Sequence, residues 1–239
     1  MFNPYQPRNL HNPHNARKEI GMKNFDVPEN LTTGRILPMV CATALAVALS
    51  LSLAQLAHAH QVTPPRVPAD IEVQPGNKAF LVGHATGTQN YICLPAGTGF
   101  AFALFTPEAT LFSHDQQVIT HHNSPNNNPF DPSDKGVIRA TWEDSRDTST
   151  VWAAVVQPSS DPNFVAPGAI PWVLLKVVGA QDGPTGGDRL SGTTFIQRVN
   201  TAGGSAPPTG CAASKDVGTK AFVPYTADYF FYFDPYADR

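Results

Sequence analysis

The sequence predicts an all-β protein, a single β-sandwich or partly closed β-barrel of about ten short strands with long Gly/Pro-rich loops. Three observations lead there. Turn formers are dense, with 23 Pro and 18 Gly among 239 residues, and no low-complexity tract holds them. Beyond residue 59, the longest stretch free of both runs from 137 to 157 and is rich in Val, Thr and Trp rather than helix formers. Phe100, Phe102 and Leu104 alternate with the small Ala101 and Ala103, the period-two pattern of a strand with one buried face.

The chain reads as a precursor. Residues 36–57 carry no charge and are rich in Ala, Leu, Val and Ser, with Arg35 before them and Ala57-His58-Ala59 after. A basic flank, an apolar run and a small-x-small site make a secretory signal peptide, with cleavage expected between Ala59 and His60. A retained membrane anchor is the alternative, since about 20 apolar residues can span a bilayer; Pro38, Gln55 and the alanine content argue against it. Translation starts at Met1 or Met22, and the sequon Asn30-Leu31-Thr32 and Cys41 fall in the leader.

Residues 60–76 hold Pro64, Pro65, Pro68 and Pro75 and read as an extended lead-in to a domain at 77–239. The predicted strands are 79–85, 89–94, 100–105, 110–113, 118–122, 137–142, 150–157, 172–178, 193–200 and 229–233. Short β-branched or aromatic runs between Gly, Pro, Asn and Asp clusters justify each of them. Val173-Leu174-Leu175 and the run Tyr229-Phe230-Phe231-Tyr232-Phe233 are apolar on both faces and belong in central strands. Loops are expected at 123–136, 159–169, 180–192 and 202–218.

Without the leader, 11 Lys plus Arg stand against 16 Asp plus Glu, a charge of −5. That balance excludes a generally basic nucleic-acid binder. Cys93 and Cys211 remain as an even pair, which in an exported chain reads as a disulfide; two buried thiols are the alternative.

Several blocks carry a family resemblance. They are Gly83-His84-Ala85-Thr86-Gly87-Thr88-Gln89-Asn90-Tyr91-Ile92-Cys93, Thr193-Thr194-Phe195-Ile196-Gln197-Arg198-Val199-Asn200-Thr201, Gly203-Gly204-Ser205-Ala206-Pro207 with Gly210-Cys211, and Val223-Pro224-Tyr225-Thr226-Ala227-Asp228-Tyr229. Together they resemble a secreted bacterial and fungal family classed as a domain of unknown function, number 3455 in that series. The resemblance implies one export domain and brings no activity or catalytic residues. A dehydrogenase of the malate type does not fit, because Gly97-Thr98-Gly99 runs into Phe100-Ala101-Phe102 without the third glycine or a helix.

Residues with chemistry are few, and each has a plain structural explanation. His121 and His122 are strand neighbours and point to opposite faces. His114 and His121 flank a hairpin expected to turn at Asp115-Gln116, and lie about 14 Å apart, too far to share a metal. His60, as a new N-terminus, would pair an α-amine with an imidazole, an arrangement that resembles a copper brace. Glu143, Asp144 and Asp147 form one acidic cluster, while Asp182 and Asp188 bracket a Gly-rich loop; turn chemistry explains both better than a glycosidase pair or calcium ligands. No Gly-x-Ser-x-Gly elbow occurs. Trp142, Trp152 and Trp172 with Tyr225 and Tyr236 could stack on a sugar, so Trp142, Trp172 and Tyr225 form a candidate ligand platform. Arg198 is expected in an ion pair with the acidic loops.

The resulting expectation is an exported, disulfide-stabilised binding or structural module. No cofactor is implied, the partner is unknown with a cell-surface glycan or protein as the candidate, and membrane contact comes only through an uncleaved leader. A secreted enzyme, metal-dependent or carbohydrate-active, is the competing class.

Overall fold

The computed structural model describes residues 62–114, 116–128 and 132–237. The leader, the cleavage site at Ala59 and His60, and the copper-brace expectation lie outside the described residues. Eight strands form a closed antiparallel barrel in which each pairs with its neighbour in sequence and the last returns to the first. They are β1 (Lys78–Ala96), β2 (Gly99–Ser113), β3 (Gln116–Pro125), β4 (Ile138–Asp144), β5 (Thr150–Ser159), β6 (Trp172–Gln181), β7 (Thr193–Gly203) and β8 (Lys220–Phe233). No α-helix occurs among the described residues, and none there is long and apolar enough to cross a membrane.

Ten expected strands become eight because two apparent breaks are not turns. Thr86-Gly87-Thr88 lies inside β1, where Gly87 pairs with Ala109 of β2 and Tyr225 of β8. A Cβ on Gly87 would run into the Glu108 carbonyl and the Ala109 backbone, so glycine here permits close strand approach. Pro107 sits beside a register shift that pairs Asn90 with Thr106 but Tyr91 with Leu104, and β2 bends through it as one strand. Closure joins β1 to β8 over a long ladder, from Lys78↔Phe233 to Ile92↔Lys220.

Alternation sorts the apolar residues into two clusters. The inner one fills the barrel with Leu81, Leu111, Ile119, Trp142, Val151, Leu175, Ile196, Tyr229 and Phe231, among others. The outer one holds Trp172, Leu174, Phe195, Val199, Phe230 and Tyr232, covered by Ile71 and Val165 with Val62, Val67 and Val73. The proline-rich lead-in is therefore docked against the wall. Its 3₁₀ turn Ala69–Ile71 buries Ile71, and the Ile71 carbonyl accepts a hydrogen bond from Gln197 Nε2 at 2.8 Å. Gln197 Oε1 in turn accepts from the Tyr232 hydroxyl.

The two barrel ends are closed differently. At the end where β6 passes to β7, Leu190 is fully buried in the inner cluster. Arg189 Nη1 donates to the buried Asp144 at 3.0 Å, while Asp147 accepts from the Arg189 backbone and from Ser149. Burial disfavours the Asp147 anion, but the hydrogen bonds from Arg189 and Ser149 outweigh it and hold the carboxyl below its usual range. At the other end, where β1 turns into β2, Ile170 inserts from the β5–β6 loop, pinned by Ile170 N–H to the Gly203 carbonyl and by Thr201 Oγ1 to the Ile170 carbonyl. The β7–β8 loop is tied there by the Cys93–Cys211 disulfide.

Candidate functional site

By register, Gln89, Tyr91, His121, Arg198, Tyr225 and Tyr229 all occupy inward positions, because they pair with or alternate regularly from Ala227, Trp142, Val173 and Phe231. They make a polar region inside a largely apolar barrel, toward the end where β1 turns into β2. The Tyr91 hydroxyl donates to the Gly204 carbonyl at 2.7 Å, and the Tyr225 and Tyr229 hydroxyls lie 3.1 Å apart. Gly204, at φ 84°, makes this packing possible: a Cβ there would meet Tyr225, Ile170 and Gln89 at 2.9–3.2 Å.

His121 stacks on Trp142 with centroids 4.3 Å apart and planes 7° from parallel. Its Nδ1–H donates to the Thr141 carbonyl at 2.9 Å, which leaves Nε2 as an acceptor in the neutral ring. Burial pushes His121 down to about 3, against the hydrogen bond to Thr141, which favours the proton; Arg198 and His122 act in the same direction as burial. Burial also raises Tyr91, partly countered by Arg198, and raises Tyr225, with Tyr229 adding to the effect and Arg198 and a hydrogen bond from Gln89 opposing it.

Arg198 differs from its expectation. Strand pairing with Val173 and Tyr229 turns it into the barrel, away from the acidic loops, and among the described residues no carboxylate pairs with it. Its Nη2 donates to the Pro171 carbonyl at 2.9 Å, which points the guanidinium toward the β1–β2 end, while Nε has no partner. A further inward donor, Trp142 Nε1, is buried and also makes no hydrogen bond, while the Gln89 amide acts on the Tyr225 hydroxyl beside it. Buried donors normally find acceptors, and Arg198 Nε and Trp142 Nε1 have none here.

Above the polar region the barrel splays. β2 pairs with β3 only through Ala109–Ser113, and β4 with β5 only through Ala140–Glu143, so the first half of β2 and the second half of β5 lack a neighbour on that side. Three apolar side chains on the inward face of these strands remain open to solvent: Leu104 at 56%, Ile138 at 60% and Val155 at 61% exposure.

The other expected site residues are dispersed. Trp142, Trp172 and Tyr225 are 1%, 5% and 2% exposed; the first and third point inward, and Trp172 lies outside beneath the lead-in. They do not form a platform, because the barrel uses large aromatics as core on both faces. Trp152 faces out and donates to Ser124, while Tyr236 is exposed beyond β8. Asp182 and Asp188 share a groove of about 670 Å³ with Arg189 and Asp234 at the Leu190 end, and among the described residues no three His, Cys, Asp or Glu side chains group as metal ligands. Asp144 points inward beside Glu143, which faces out with His122 in a groove of about 270 Å³. His114 sits in the β2–β3 turn at φ 49°, one residue earlier than expected, not on the strand. His84 bonds Asp228 at 2.6 Å.

A family model described as "Protein of unknown function (DUF3455)" matches residues 74–233, a span that takes in all eight strands. No curated protein and no solved structure matches the chain.

Proposed function

The chain belongs to that DUF3455 family, and from this premise we propose that it is an extracellular binding module whose barrel takes one small ligand through its splayed end. An eight-stranded barrel is just wide enough to be filled by side chains or to hold one small molecule. Here the Leu190 end is filled. The observation that carries the reading is at the opposite end, where Leu104, Ile138 and Val155 sit on the inward face yet remain more than half exposed. Ligand sites are lined mainly by apolar side chains, and an apolar patch left open to solvent marks a binding surface. Export is supported by the apolar run 36–57 with Ala57-His58-Ala59, and by a disulfide that closes the chain over 118 positions and suits an oxidising compartment.

The test is binding of an uncharged apolar dye such as Nile red. Wild type is expected to bind it and brighten its fluorescence, and Val155→Asp or Leu104→Asp to lose the signal while keeping the wild-type far-ultraviolet spectrum. A dye that does not bind, or that binds both variants as well as wild type, overturns the reading.

A further inference from the structure

We infer that the ligand of this barrel is an amphiphilic carboxylate, its acid group held inside by Arg198 and Gln89 and its apolar body lying along Leu104, Ile138 and Val155. The inference rests on the ligand-binding reading of the mouth and adds the chemistry of the head group.

The inward-facing donors left without a partner are Arg198 Nε and, deeper, Trp142 Nε1, and the Gln89 amide lies on the same wall beside the Tyr225 hydroxyl. The other buried atoms without partners lie elsewhere, Asn90 Oδ1 and Trp172 Nε1 on outward positions and Ser191 Oγ in the loop at the Leu190 end. What Arg198 lacks is therefore an anionic acceptor. A guanidinium inside a barrel with no carboxylate among the described residues to pair with it is a cation short of an anion, and burying such a charge unpaired is costly. Arg presents donors in a planar fork that matches the two oxygens of a carboxylate. Gln89 is 2% exposed and lies beside the Tyr225 hydroxyl, on the same wall as Arg198.

The charge of Arg198 decides against a basic head, and the neighbours are compatible with an acid one. Tyr225 and Tyr229 bring hydroxyls, which can donate to an oxyanion. His121 commits its N–H to Thr141 and adds no charge to the pocket in its neutral form. Arg198 Nη2 already reaches Pro171 at the rim, so an acid group would meet it at the top of the polar region. The body of the ligand then extends toward the exposed apolar residues of β2, β4 and β5. Charge complementarity inside and apolar exposure outside fit one molecule of opposite character at its two ends.

Isothermal titration of the purified protein with decanoate and with decanol at pH 7.5 tests this. Decanoate is expected to bind at least tenfold more tightly than decanol. Arg198→Gln is expected to remove most of that preference while decanol affinity stays within about twofold, and Gln89→Leu to reduce the preference by a smaller factor. If both compounds bind equally to wild type, the anionic head is wrong and the apolar mouth stands. If neither binds, the mouth reading fails as well. Should Arg198→Gln not fold, the wild-type preference and Gln89→Leu still decide the matter.

Discussion

Buried His121 should make the barrel less stable in mild acid, and the size of the effect follows from its burial. The ring is 4% exposed, stacked on Trp142 and held at about 3, whereas in the unfolded chain it titrates near 6.5. Its folded pKa is depressed, so above 6.5 the ring is neutral in both states and no stability depends on it. As pH falls below 6.5 the unfolded chain takes up a proton that the folded barrel refuses, and stability drops until about pH 3. The loss is about 1.4 kcal/mol per pH unit across that window, about 3 kcal/mol by pH 4.5 and about 5 kcal/mol at its limit. His121→Phe keeps a ring on Trp142 but removes both the titration and the hydrogen bond to Thr141, at a cost of about 1 kcal/mol at pH 7.5. Wild type should therefore be the more stable at pH 7.5, the two proteins equal near about pH 6, and His121→Phe the more stable at pH 4.5. Urea unfolding of both proteins from pH 7.5 to 4.5 measures this directly, because every other titrating group is common to the pair. Parallel curves with no crossing would show that His121 is not a buried neutral imidazole.

Three further perturbations probe the frame around the site. Replacing Cys93 and Cys211 together by Ala should cost up to about 5 kcal/mol, the chain-entropy value for a loop of this length, and an unchanged urea midpoint would mean the bond does not form. Gly87→Val should destabilise by about 3 kcal/mol or more, since the added carbons meet Glu108 and Ala109 backbone rather than movable side chains; a melting temperature within a degree of wild type would contradict the close approach of β1 and β2. Arg189→Met leaves Asp144 buried without its cation and should cost about 2 kcal/mol, discounted for the partly exposed Arg189; adding Asp144→Asn should recover much of it, and a double variant no better than the single would remove the ion pair from the account.

How far the site was legible depended on which residues needed a register to be placed. Trp142 and Tyr225 were visible as large aromatics, but local alternation does not say which face is inside when both faces of a strand are apolar, as along Tyr229–Phe233. The segment Thr193–Thr201 carries Phe195 and Val199 on one face and Ile196 on the other, so Arg198 had no assigned side until pairing with Val173 and Tyr229 turned it inward. Local pattern puts His121 in a strand, but nothing local distinguishes a stacked, buried imidazole from a solvated one. The polar region is built from β1, β3, β7 and β8, four segments up to 140 positions apart.

The sequence by itself determined the all-β class, the long Gly- and Pro-rich loops, the cysteine pair and the family. Each of these is written in local composition, in a period of two or in recognisable blocks. Tertiary structure alone decided that β1 and β2 run unbroken, that β8 returns to β1 to close the wall, and that Arg198 and Gln89 face the interior while Trp172 faces the lead-in. The physical reason is that a strand's two faces are equivalent until it is hydrogen-bonded to a partner. Closure assigns inside and outside to every residue at once, and only then does an unpaired cation within the barrel become visible.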